Sequence, residues 1–255
     1  MLLNEARPLR LENGQVDIWL TRLHGIGNHL LHKYQLLLSQ GEAGRWRKFA
    51  VHEAQLQYLV SRALIRTTLS RYFGVSAKSW QFAADRYGRP YITEPNQFRH
   101  IQFNLSHTSG LVACALGKVC EIGIDVENIR RDLDFIDLAS RFFSPVETSR
   151  LLQTRPDGRR EMFFCYWTLK EAYIKARGQG LSLGLDGFWL ELDGASPRAH
   201  FTERCPDDSN RWQFRQYTPT VDHKLALAVG QAKELHVCQR WVVPLRAGEA
   251  TRDPV

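Results

Sequence analysis

The sequence predicts an α+β (α/β) fold built as two similar halves, and three observations carry that prediction. Strand-like and helix-like periods follow one another as strand, helix, strands, and then as helices and more strands. The 255 residues are 44% hydrophobic and 24% charged, enough to give one large domain or two ordinary ones a core. A boundary near Gly117 divides a first half, 1–117, from a second, 118–232, and leaves 233–255 as a C-terminal tail without readable function. No Gly/Ser linker, low-complexity tract or clear residue-level repeat accompanies this division.

The elements follow in order. Val16 to Leu20, "VDIWL", reads as a short strand. From Gly44 a single helical stretch is expected, with Phe49, Leu56, Leu59, Ala63 and Leu64 at mixed three- and four-residue spacing and Gly74 at its end. "SWQFAADRYGRPYI" holds a strand and then a turn at Gly88, Arg89 and Pro90. "IQFNLSH" and "LVACALG" form a hairpin across a Ser/Thr/Gly turn, and "VCEIGIDVEN" is a further strand. "FIDLASRFFSPVETSRLL" reads as helix, break, helix: Ser144 caps the second piece, Pro145 opens it and Glu147 completes a capping box. "GRREMFFCYWTLKEAYIKARGQG" is a longer helix closed by Gly178, and "FWLEL", "RWQFRQY" and "KLALAVG" are strands.

Composition excludes several classes. The N-terminus carries charges too early for a secretory signal, and no segment approaches the roughly 18 apolar residues of a membrane span. Cys114, Cys120, Cys165, Cys205 and Cys238 are odd in number, scattered and without a CxxC pair, so neither a disulfide framework nor a zinc site is expected. The expected location is the cytoplasm. The net charge of +7 is uneven: residues 1–115 hold 14 Lys+Arg against 7 Asp+Glu, and the remainder 20 against 20. A basic first half suits a nucleic acid, an acidic protein or a phosphate-rich small molecule.

The chemistry-bearing residues begin with Asp125 and Glu127. At i and i+2 of a strand they share one face, so two carboxylates stand side by side at the end of an apolar run. Glu171 and Lys175 share a helix face at i and i+4, with Trp167 one turn earlier. Three carboxylates suit Mg²⁺, which takes about six oxygens and keeps waters and phosphates among them. A cation between them would offset their repulsion; a frayed strand end in water would also permit it, and spacing does not choose. "FNLSHTSG" places Ser106 and His107 near a tight turn, where a hydroxyl, an imidazole and backbone amides could meet an anion; the plainer reading is a hairpin with a surface histidine. Arg89 sits on a rigid turn, and Arg45, Arg47 and Lys48 cluster in "RWRKF".

Together and in this order, "YGRP", "FNLSHTSG", "GIDVEN", "RFFSPVE", "WTLKEAYIK" and "GQGLSLGL" resemble the 4′-phosphopantetheinyl transferase superfamily in its longer, single-chain Sfp type. The pairing of G-I-D-V-E with W-x-x-K-E-x-x-x-K, about 40 residues later, is the most specific part. The resemblance implies a pseudo-dimer of two similar α/β halves with the active site in the cleft between them. It implies transfer of phosphopantetheine from coenzyme A to a serine of an apo acyl or peptidyl carrier protein, releasing adenosine 3′,5′-bisphosphate. The first half would bind coenzyme A; the second would hold Mg²⁺ and dock an acidic carrier. By the same resemblance Asp125, Glu127 and Glu171 would ligate Mg²⁺, and Ser106 and His107 would contact the coenzyme A phosphates. Gly88, Arg89 and Pro90 would form the turn against the adenine, Lys175 would meet the pyrophosphate, and Arg45 the 3′-phosphate.

The chain departs from the family pattern at Glu42, where a second lysine is expected, so Arg47 or Lys48 substitutes or 3′-phosphate recognition is weaker. The base at the serine hydroxyl is left among Glu171, Glu147 and water, because a carboxylate that ligates a metal strongly is a poor base. Phe142, Phe143, Leu151, Leu181 and Leu183 are candidate carrier contacts, with at least one of the two phenylalanines expected in the core. The internal duplication implies a monomer. Two other classes are weaker. A nucleic-acid-binding protein would leave the carboxylates unexplained, and an inactive scaffold would not need Asp125, Glu127, Glu171 and Lys175 intact.

Overall fold

A computed structural model describes residues 9–230, 234–246 and 251–252. The chain divides into two compact units: 1–85, 90–119 and 235–255 make the first, 86–89 and 120–234 the second. In chain order, the first unit contributes β1 (Gln15–Arg22), α1 (Asn28–Gln35), α2 (Gln40–Arg47), α3 (His52–Phe73), β2 (Gln81–Ala84), β3 (Pro90–Glu94), β4 (Gln102–Thr108) and β5 (Leu111–Gly117). The second contributes β6 (Glu121–Asn128), α4 (Phe135–Phe142), α5 (Pro145–Gln153), α6 (Pro156–Arg177), β7 (Phe188–Glu191), β8 (Arg198–Phe201), β9 (Trp212–Thr220) and β10 (His223–Gly230). The chain then returns to the first unit as β11 (His236–Trp241) and β12 (Thr251–Arg252).

In the first unit the sheet runs β12-β11-β1-β5-β4. Every residue of β5 is buried, as its unbroken apolar run requires. The core joins Trp19 of β1, Val112 and Cys114 of β5, and Leu59, Ala63 and Leu64 of α3. In the second unit the sheet runs β6-β10-β9. Its core joins Leu169, Ala172 and Tyr173 of α6 to Phe214, Ala226 and Ala228 of the sheet.

Each unit repeats one order: a strand, two short helices, a helix of 22 residues, a small hairpin, and a hairpin whose last strand pairs antiparallel with the first. The likeness extends to side chains. Both α2 and α5 open on a Ser-x-x-Glu capping box, Ser39–Glu42 and Ser144–Glu147. Each capping glutamate pairs with a buried cation at the corresponding site of its long helix, Arg66 in α3 and Lys170 in α6. Each cation also donates to two backbone carbonyls in the chain that follows its helix: Ala77 and Trp80 for Arg66, Leu185 and Phe188 for Lys170. The repeat hidden from the sequence is one of roles rather than of letters.

The fold departs from the sequence reading in three places. The stretch from Gly44 to Gly74 is two helices, because the chain turns extended at Val51 (φ −96°, ψ 121°) and Phe49 packs back on the Tyr58 ring. Within the stretch expected as a tail, β11 pairs in parallel with β1, and Arg240 donates to the fully buried Asp17 at 3.1 Å. The helix α1 was not anticipated; its anchor is Tyr34, whose hydroxyl donates to the Pro244 carbonyl at 2.7 Å.

Candidate active site

The second unit brings the predicted carboxylates together through one close approach. A Cβ on Gly123 would stand 2.0 Å from the Ala172 carbonyl oxygen and 2.5 Å from the Ala176 nitrogen. Only a hydrogen at that position lets β6 lie on the backbone of α6. Asp125 and Glu127 share the face of β6 that Gly123 presents to the helix. The helix supplies Glu171 and Lys175, one turn apart.

Cations hold two of these carboxylates. Lys175 Nζ lies 2.7 Å from Asp125 Oδ1 and donates to the Ile124 carbonyl at 3.3 Å. Arg131 Nη1 lies 2.7 Å from Glu127 Oε2. Burial, reinforced by the negative charge of Asp125, pushes the Glu171 carboxyl up to about 7. The same two causes raise Glu127, against the pull of Arg131 and Lys175. These mutual effects place the three acids within one electrostatic neighbourhood.

The donor set fits a hard divalent cation: three carboxylates, two of them held above their ordinary range by burial and by the charge of Asp125, and no sulfur or imidazole among them. Among the described residues no three acidic, His or Cys side chains are already closed around one point. Asp125 and Glu127 are paired with separate cations, Lys175 and Arg131.

Glu147 has a different place. It is fully buried, 2.8 Å from Lys170 Nζ, and accepts from the Ser144 backbone nitrogen at 2.9 Å and the Leu190 nitrogen at 3.0 Å. Both of its oxygens are engaged inside the second unit, where the pair with Lys170 ties α5 to α6. Lys170, overlooked in the sequence, donates to the Leu185 and Phe188 carbonyls at 2.7 and 2.8 Å, which uses all three of its protons. Lys170 therefore fastens α5, α6 and the segment leading into β7.

Glu42 is the counterpart in the first unit. It accepts from the Ser39 nitrogen at 2.9 Å and pairs with Arg66 and Arg62. The departure from a basic residue there serves an internal ion pair. Arg45, Arg47 and Lys48 at the end of α2 are exposed, and Arg45 lies 5.8 Å over the Tyr58 ring.

Ser106 and His107 lie within β4, opposite Ala113 and Val112 of β5. Their backbone belongs to the ladder rather than to the turn, and their side chains take opposite faces, Ser106 buried and His107 exposed. Gly88 takes φ +86° in the turn before β3, which Pro90 opens. Arg89 Nη1 donates to the Ala176 carbonyl at 3.1 Å in the last turn of α6, a link that the turn motif did not reveal.

Of the apolar carrier-docking candidates, Phe143 and Leu151 are core residues, Phe142 and Leu183 pack on that core half-buried, and Leu181 lies outside the described side chains. On α5 the exposed apolar side chains are instead Val146 and Leu152.

Two family models match the chain. Residues 121–229 match the 4′-phosphopantetheinyl transferase superfamily, and residues 28–118 match a 4′-phosphopantetheinyl transferase N-terminal family. A 4′-phosphopantetheinyl transferase of Bacillus subtilis is 35% identical over 183 residues, covering 71% of this chain and 77% of that one. The 4′-phosphopantetheinyl transferase HetI of Nostoc is 34% identical, covering 68% and 73%. The 4′-phosphopantetheinyl transferase Sfp of Bacillus subtilis is 29% identical, covering 76% and 83%. The carboxylates and Lys175 fall inside the first matched region. The chain belongs to the 4′-phosphopantetheinyl transferase superfamily, as an enzyme of the Sfp type.

Proposed function

We propose that the enzyme moves the 4′-phosphopantetheine group of coenzyme A onto a serine hydroxyl of an apo acyl or peptidyl carrier protein, with Mg²⁺, and releases adenosine 3′,5′-bisphosphate. The observation that carries this reading is the set Asp125, Glu127, Glu171 and Lys175, gathered where β6 lies on α6. Asp125, Glu127 and Glu171 would hold Mg²⁺, which when bound supplies positive charge to the pyrophosphate.

The chain's own residues do the rest. The serine oxygen attacks the β-phosphorus, a new P–O bond forms, and the bond from that phosphorus to the bridging oxygen breaks. The adenosine bisphosphate departs with the bridging oxygen. Lys175 faces the charge that collects on the leaving phosphate. Glu171, or a water beside it, accepts the serine proton. Ser106, His107, Arg45, Arg47, Lys48, Gly88, Arg89 and Pro90 would hold coenzyme A, supported by the basic charge of the first 115 residues. The same charge favours an acidic carrier.

The test is an intact mass of an apo carrier incubated with enzyme, coenzyme A and Mg²⁺, with and without EDTA. The expected outcome is a gain of one phosphopantetheine that EDTA prevents. A folded enzyme that modifies neither acyl nor peptidyl carriers overturns the reading.

A further inference from the structure

The contact between Lys175 and Asp125 raises a conflict. In the proposed reaction Lys175 serves the pyrophosphate and Asp125 serves the metal, yet the two side chains engage each other at 2.7 Å. An ammonium hydrogen-bonded to a carboxylate oxygen occupies the approach that a cation needs, and at such range two positive charges in a half-buried site repel strongly. Lys175 also shares a face of α6 with Glu171, one turn before it. Its side chain is 28% exposed against 6% for Asp125, so the lysine is the partner with room to move. A lysine is a compact charge on a flexible stem, suited to leaving one anion for another.

We propose that Lys175 is the resident counter-ion of the Asp125–Glu127–Glu171 cluster, and that a divalent cation binds by displacing its ammonium from Asp125. The displacement releases the ammonium toward the coenzyme A pyrophosphate, so metal loading and readiness of the lysine are one event. Lys175 thus sets metal affinity as well as serving the transfer. The inference rests on the proposed metal site.

The test uses the full chain and Mn²⁺ alone, titrated calorimetrically into the unmodified protein and into Lys175→Met. Removal of the competing charge predicts that Lys175→Met binds Mn²⁺ ~10-fold more tightly. A second measurement needs no variant: acetylation of Lys175 by a dilute amine reagent, read by peptide mass spectrometry, with and without Mn²⁺. Release from Asp125 leaves the flexible lysine open to the reagent, so acetylation is expected to quicken at least ~3-fold with metal. If the unmodified protein binds Mn²⁺ and Lys175→Met binds it equally or more weakly, the displacement is overturned and the metal site stands. If acetylation of Lys175 is unchanged or slowed by Mn²⁺, the displacement is likewise overturned. If neither protein binds Mn²⁺, both the displacement and the metal reading fall.

Discussion

Lys170 Nζ lies 2.8 Å from Glu147 Oε2, and both side chains are fully buried. The pair stands one residue from Glu171 and links α6 to the capping box of α5. Breaking it from one side leaves a charge in the interior without its partner, which costs about 3–5 kcal/mol. Lys170→Met is therefore expected to lower unfolding free energy by about that amount in urea titrations, and Lys170→Met with Glu147→Gln to recover most of it. A single variant no less stable than the unmodified enzyme would show that the pair does not bear on the fold.

Gly123 is expected to tolerate no side chain. A methyl there meets the Ala172 carbonyl and the Ala176 nitrogen, both backbone atoms of a helix that cannot step aside cheaply. Gly123→Ala should cost about 3 kcal/mol and move β6 relative to α6, and with it Asp125 and Glu127 relative to Glu171. Turnover should fall further than stability does. An alanine variant with ordinary melting temperature and turnover would contradict the close approach.

The raised carboxyls fix a pH trend in metal-free protein. Glu171 titrates near 7 in the folded chain against an ordinary value of 4.5. Between those limits the folded state binds more protons than the unfolded one, so stability falls as pH climbs through the window and levels above it. Glu127 is raised too and acts in the same sense. In EDTA, the melting temperature of the unmodified protein should drop more between pH 5 and 8 than that of Glu171→Gln. Mg²⁺ should restore more stability at pH 8 than at pH 6, because its ligands must be deprotonated. Parallel profiles for the two proteins would remove Glu171 from the cause.

Asp125→Ala removes a carboxylate that is almost wholly buried and paired with Lys175. Turnover of coenzyme A should fall ~10³-fold or more, while circular dichroism stays that of the folded enzyme. Retained activity at ordinary Mg²⁺ would take Asp125 out of the metal site.

The sequence disclosed what is local and periodic. The i, i+2 carboxylates of β6, the i, i+4 pair of α6, the Ser144 capping box and the hairpin of β4 and β5 all follow from spacing within a few residues. What stayed hidden depends on distance along the chain. The pairing of β11 with β1 joins Gln15 to His236, and no local pattern announces a partner so remote. Lys170 reads as one more charge in "WTLKEAYIK" until the fold places Glu147 against it. Glu42 reads as a lost phosphate contact until Arg66 is beside it. Phe143 and Leu151 read as docking residues because a run of apolar letters does not say which side faces the core. The two acids of β6 find their setting in the same way: Gly123 brings in a helix, and the helix brings Lys175.

Lys175→Ala separates chemistry from docking. If its ammonium faces charge that builds on the leaving phosphate, its loss raises the barrier of the chemical step and leaves the carrier surface intact. Such a loss costs ~10²–10³-fold in kcat, with the KM for the carrier changed little. Single-turnover rates at saturating coenzyme A and carrier measure the first, and carrier titrations the second. Metal affinity provides a cross-check: the variant should bind Mn²⁺ more tightly and still transfer more slowly. A raised carrier KM with kcat preserved would make Lys175 a docking residue. It would also leave the leaving phosphate without a named cation from this chain, and Arg131, 2.7 Å from Glu127, would be the next side chain to replace.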